Sequence, residues 1–162
     1  MISSLSIKNY ALIDDIQVPL TKGLTIITGE TGAGKSILLG ALSLLLGKRA
    51  DLSSVKDATK KCIIEGDFSL KGYQLQTLFK ENDLDYDVHT IIRSEILPNG
   101  KSRAFVNDSP VGLFQLQALG AYLVDIHSQH ETNSIASEGS QLEVIHAIAG
   151  YEPNLKSIPN DT

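Results

Sequence analysis

Eight consecutive residues have the types and spacing to do chemistry: Gly29, Glu30, Thr31, Gly32, Ala33, Gly34, Lys35 and Ser36. They fit the pattern G-x-x-x-x-G-K-[ST] without a mismatch. Glycines permit backbone torsions that other residues resist, so successive N–H groups turn toward one concavity. A helix opening near Lys35 adds its positive N-terminal end. The Lys35 ammonium reaches the β- and γ-phosphates, and the Ser36 hydroxyl ligates Mg²⁺. With Ile37 in the same turn, residues 29–37 form the candidate nucleotide-binding stretch. The chemistry implied is binding of a nucleoside triphosphate with magnesium. The bland alternative is a glycine turn that caps a helix and leaves Lys35 solvated.

Such a loop needs a strand before it and a helix after it. Leu24-Thr-Ile-Ile-Thr28 is a β-branched run of the kind that forms a buried strand. Ser36 to Leu46 is rich in Leu and Ala and reads as a helix closed by Gly47. Upstream, apolar and polar residues alternate over 2–8 and 13–20, which predicts two strands. Downstream, Cys62 to Phe68 reads as a strand and Leu75 to Lys80 as a short helix. Thr90–Ile96 and Ser102–Asn107 flank Pro98-Asn-Gly-Lys101, the pattern of a β-hairpin. Helical spacing returns over Val111 to Tyr122, strand character over Leu123 to His127, and a helix over Gln141 to Ala149. The polar stretch from Tyr151, with Pro153 and Pro159, reads as a tail. The class is α/β, with a sheet expected to mix parallel and antiparallel strands.

Composition narrows the function classes. The 162 residues are 42% hydrophobic and 20% charged, an ordinary globular mixture that excludes collagen, rod and wholesale disorder. The longest nearly apolar run, Ile37 to Gly47, is too short to span a bilayer, so no membrane partner is expected. No secretory signal is visible, and the single cysteine, Cys62, suits a reducing, cytoplasmic setting. Net charge is 14 − 19 = −5, which argues against a chain-wide nucleic-acid surface. Between Gly47 and Lys61, however, Lys48, Arg49, Lys56, Lys60 and Lys61 face only Asp51 and Asp57. That strip is a solvated face or a place to meet phosphate. His127 and His130 have no third ligand near in sequence, which argues against zinc.

Several segments together carry a resemblance. Ile2-Ser-Ser-Leu-Ser-Ile-Lys-Asn-Tyr-Ala-Leu-Ile13, followed by Gly23 to Ser36, is similar to the start of SMC-like ATPase heads. Gly47-Lys-Arg-Ala50, Arg93-Ser-Glu95, Asn99 to Asn107 and Leu123 to Glu131 resemble, in order, segments of the RecN family within that group. Gln141-Leu-Glu and Ala149-Gly150 resemble the run preceding that family's coiled coil. Ser128, where the family usually has glycine, and Thr132-Asn133 depart from its pattern.

The resemblance implies a P-loop NTPase fold of the ABC/SMC head type, with residues 1–150 as the N-terminal lobe. The P-loop would be 29–36, the Q-loop region 125–131, and 151–162 a tail leading toward an absent coiled coil. It implies ATP and Mg²⁺ as cofactors, with Ser36 and Gln129 on the metal. It also implies an ATPase of double-strand-break repair and recombination, cytoplasmic and nucleoid-associated. Its partners would be DNA, a C-terminal head lobe missing from this chain, and a second head in a head-to-head dimer. No LSGG-type signature and no Walker B carboxylate followed by a catalytic Glu occurs in this sequence, so the chain alone is expected to bind ATP without hydrolysing it. Lys35 would stabilise charge, and Arg49 would lie near phosphates or DNA. Two alternatives stand beside this reading: a compact P-loop phosphotransferase with Asp125 on magnesium, and a non-catalytic module stabilised by nucleotide.

Overall fold

The two alternating segments at the start of the chain form a hairpin of β1 (Ile2–Tyr10) and β2 (Ile13–Pro19) in the computed structural model. The structure describes residues 1–28, 32–124 and 126. Leu5 and Ile7 point inward and are buried, while Lys8 points outward and pairs with Asp15 across the hairpin at 3.5 Å. β3 (Cys62–Ser69) lies against β1, and β4 (His89–Ile96) and β5 (Ser102–Val106) extend the sheet through the predicted Asn-Gly hairpin. A short sixth strand, β6 (Ser109–Val111), completes the order β2-β1-β3-β4-β5-β6.

The sequence reading missed β6, although its turn carries a signal. Asn107 and Asp108 both adopt left-handed torsions, φ 48° and 66°, between the paired residues Val106 and Ser109. A two-residue hairpin turn of the primed kind requires φ above zero at both central positions, and Asn and Asp tolerate it.

Among the described residues three α-helices accompany the sheet: α1 (Gly32–Leu45), α2 (Gln76–Glu81) and α3 (Leu113–Leu123). The inward row of the strands, including Ile7, Ile64, Phe68, Ile92 and Val106, joins Ala41, Leu44 and Leu45 of α1 and Leu116 and Leu119 of α3 in one core. Phe79 of α2 belongs to the same core and meets the Tyr86 ring edge-on at 5.4 Å. All of these elements belong to one unit, Met1–Asp125.

Two expectations are corrected. The stretch Leu24 to Thr28, read as a buried strand, is not in the sheet, and Leu24, Ile26 and Ile27 are 89%, 75% and 51% exposed. The sheet, expected to be mixed, is antiparallel at every pairing among the described residues. Both corrections have one cause. A buried parallel strand needs a hydrogen-bonding neighbour on each side, and the six described strands pair only with one another. Leu123, expected to open a strand, instead closes α3, and Val124 is extended after it. The rest of that segment, the Gln141–Ala149 helix and the tail lie outside the described residues.

Candidate nucleotide site

α1 begins at Gly32, so the second half of the glycine-rich loop is itself the first turn of the helix. The first N–H groups of a helix have no intrahelical partner, and this turn contains no acidic residue to compete for them. Gly34, Lys35 and Ser36 are exposed, Ile37 to Gly40 half-buried, and Ala41, Leu44 and Leu45 buried. The helix therefore presents its positive end to solvent and anchors the other end in the core. No atom lies within 4 Å of a Cβ built on Gly34, so the space beside the loop backbone is open. Lys35 also borders an apolar cavity of about 230 Å³, with Val18, Leu20, Ile27, Leu38 and Leu42 among its walls. Helix start, ammonium and hydroxyl fit a polyphosphate with its metal. Gly29, Glu30, Thr31, Asp125 and Gln129 lie outside the described residues, as do His127 and His130.

Arg49 is exposed and follows the turn that ends α1, beyond the end opposite Lys35. Arg93 and Arg103 meet on the outward face of the sheet. Arg103 lies directly across from Glu95 and binds it at 2.6 Å, and Arg93 approaches the same carboxylate at 3.5 Å. Arg93 also faces Glu65 at 3.9 Å and Asp108 at 3.8 Å, and its guanidinium lies 4.7 Å from the Phe105 ring centre. Glu95 is only 5% exposed, which is tolerable for a carboxylate because two guanidinium groups hold it. The Arg93-Ser-Glu and Ser-Arg103 segments thus form a structural cluster.

Sequence reasoning passed over Asn9. It is nearly buried, adopts a left-handed φ of 54°, and ties the basic loop to the sheet. Its amide donates to the carbonyls of Asp57, Lys60 and Lys61 at 2.9, 3.0 and 3.3 Å and accepts from Asp57 N–H at 2.8 Å. Asparagine at the end of a strand is the one local signal, since it enters the left-handed region most readily after glycine. Cys62 is fully buried, and desolvation pushes its thiol up to about 11, which keeps it inert and consistent with a core residue.

A glycine-rich turn that opens the exposed end of a helix, beside an antiparallel sheet, is the arrangement expected of a P-loop lobe. The AAA domain family matches over residues 4–146, and the chain belongs to that family. More narrowly, it is similar to proteins named DNA repair protein RecN. It is 40% identical over 158 residues to the one from Vibrio cholerae, covering 97% of this chain and 28% of that protein. With the one from Bacillus subtilis it shares 38% identity over 154 residues, 94% of this chain and 27% of that protein. The chain therefore spans little more than a quarter of the curated relatives it matches.

Solved structures agree on the fold. The recombination mediator protein RecF with ATP aligns with a TM-score of 0.61 at 20% identity, over 93% of this chain and 39% of that one. A chain from work on ATP-driven dimerization and DNA-stimulated activation of SMC ATPases aligns with a TM-score of 0.59 at 19% identity, over 89% of this chain and 90% of that one. The fold is that of SMC and RecF ATPase heads. Among the described residues no helix is long and apolar enough to cross a membrane.

Proposed function

We propose that this chain is the ATP-binding N-terminal lobe of a RecN-like ATPase that acts in repair of DNA double-strand breaks. The observation that carries the proposal is the unbroken 29–36 sequence motif, whose residues from Gly32 on open α1, in a chain 40% identical to a DNA repair protein RecN. Lys35 would neutralise β- and γ-phosphate charge, residues 29–34 would offer backbone N–H groups, and Ser36 with Gln129 would hold the magnesium ion. Bound Mg²⁺ would screen the phosphate charge during in-line attack by water. The sequence has no Walker B carboxylate followed by a catalytic Glu, so in this reading a C-terminal lobe would contribute the base, with the signature motif coming from a second head.

Two surfaces support those partners. The exposed apolar run Leu24, Ile26 and Ile27, beside the apolar cavity under α1, suits the strands of a C-terminal lobe. At the other end of the molecule, basic residues from three stretches converge. Lys61 and Lys101 flank the end of β4, since Cys62 and Ser102 both pair with Ile96. Lys48 borders a cavity with Ile96 and Ser102, and Leu52 packs against the hairpin tip at Gly100. Lys56 is taken up by Asp14 at 2.6 Å and Lys60 by Asp57 at 3.3 Å, whereas Lys48, Arg49, Lys61 and Lys101 are exposed and have no ion pair among the described residues. In a chain of net charge −5 this is a local surface for a phosphate backbone.

The test is thermal unfolding with Mg²⁺–ATP, alongside phosphate release, for the wild type and Lys35→Ala. At nucleotide a hundredfold above Kd the stabilisation is about 2.7 kcal/mol, a shift of about 5–10 °C for a domain of this size. The expected result is a Lys35-dependent shift without turnover, and turnover once the C-terminal lobe is supplied. Lys35-dependent turnover by the chain alone would instead establish the compact phosphotransferase.

A further inference from the structure

The two arginines that share Glu95 are not held alike. Arg103 donates to Glu95 Oε2 at 2.6 Å, yet half of its side chain is exposed. Arg93 lies deeper, and its Nε stands 3.5 Å from Glu95 Oε1. That Nε is buried and makes no hydrogen bond among the described residues. A buried donor left without a partner is destabilising and calls for a reason. Glu95 supplies one. Were its carboxylate to turn toward Arg93, Nε would gain its bond and Arg103 would be released. The Phe105 ring, 4.7 Å from the Arg93 guanidinium, holds Arg93 in place for that bond.

Arg103 also stands where release would serve a purpose. Lys8, Ile63, Glu95 and Arg103 form one row across β1, β3, β4 and β5 on the outward face of the sheet. Side chains alternate along a strand. Lys61 and Lys101, two residues before Ile63 and Arg103, therefore lie on the same face, one row further on. Lys61 borders a depression of about 360 Å³ together with Lys8, Glu65, Arg93 and Glu95. The exposed cations of the proposed DNA surface thus run directly into the cluster.

From this geometry we propose that Arg103 is a further phosphate contact of that surface, held in reserve by Glu95 and handed over when a DNA backbone arrives. The inference rests on the reading of Lys61 and Lys101 as part of a contact with DNA. A phosphate oxygen replaces the carboxylate on the Arg103 fork, which suits both anions. Glu95 keeps a counter-charge in Arg93, so the exchange leaves no buried carboxylate unpaired.

The test uses the complete protein and a short blunt DNA duplex. Dissociation constants at several salt concentrations, with melting temperatures, are measured for wild type, Arg103→Gln, Glu95→Gln, the double variant of these two, and Glu65→Gln. Lys61→Glu with Lys101→Glu reports on the surface itself. Arg103→Gln should flatten the salt dependence by about one counterion and weaken binding about fivefold at physiological salt. Glu95→Gln frees Arg103 from the start, so it should bind several-fold tighter with the wild-type slope. The double variant should lose that gain. Glu65→Gln removes a carboxylate from the same depression without freeing Arg103, and its gain should be smaller.

Should Arg103→Gln fail to fold, Glu95→Gln and the double variant, which removes both charges of the pair, decide. Wild-type affinity and slope in Arg103→Gln, or a Glu95→Gln gain that is absent or survives without Arg103, would overturn the inference. The surface would still stand if Lys61→Glu with Lys101→Glu weakened binding. Wild-type binding in that lysine variant would overturn the surface itself.

Discussion

Lys35 and Cys62 occupy opposite extremes of environment, and each environment dictates what the side chain does. Lys35 projects from an exposed helix start where phosphate charge would be welcome. Cys62 opens β3 inside the core, and burial raises its thiol from an ordinary value of 9.0 to about 11. At pH 8 its thiolate is then about a hundredfold scarcer than that of a solvated thiol. An aromatic disulfide reagent should therefore label Cys62 only when the chain opens, which labelling with and without denaturant will show. Burial raises the Tyr10 hydroxyl as well. For both acids the folded state favours the protonated form. Their contribution to stability is full below pH 9 and declines as the pH rises from there through the folded-state values. A melting-temperature profile from pH 8 to pH 11 should fall, and a flat profile would contradict the burial of both groups.

At the scale of elements, one side chain ties residues 57–61 of the loop between α1 and β3 to the sheet. Asn9 replaces a stretch of missing secondary structure by satisfying three loop carbonyls and one N–H. Asn9→Gly keeps the left-handed torsion accessible but deletes these bonds, at a cost of about 2 kcal/mol. Asn9→Ala adds the steric penalty of φ 54°, about 1 kcal/mol more. Chemical denaturation should rank the three proteins in that order, and trypsin should cut faster after Lys60 and Lys61 in both variants. The hairpin β4–β5 was legible from Asn99-Gly100 because that turn chemistry is local. The hairpin β5–β6 was not, since Asn107-Asp108 is a weaker signal and β6 is only three residues long.

For the whole molecule, the distribution of charge separates two faces. The outward face of the sheet is balanced internally by the Arg93, Glu95 and Arg103 cluster. The end bearing Lys48, Arg49, Lys61 and Lys101 is not. In the complete protein, Lys61→Glu with Lys101→Glu should weaken duplex DNA binding for every sequence alike and flatten the salt dependence by about two counterions. A titration at several salt concentrations will show it. An unchanged slope would remove this surface from the proposed contact with DNA. The apolar run at Leu24, Ile26 and Ile27 is a property of the same scale. Its residues look like a core strand in any local window, and only the absence of parallel neighbours in the described sheet leaves them exposed.

By itself the sequence determined whatever depends on neighbours within a few residues. That includes the glycine-rich motif as a pattern, the helix after it with its Gly47 stop, the alternating strands of the first hairpin, and the Asn-Gly turn. Turn torsions, helix caps and amphipathic period are all decided over such distances. The tertiary structure alone decided which strands became neighbours, that every described pair runs antiparallel, and that Arg93 and Arg103 share one buried carboxylate. It also brought Asn9 to residues 57–61 and Gln117 to Gly47, contacts between segments far apart in the chain. Those pairings follow from burying one common apolar face, and a contact made that way leaves no pattern at either of its ends.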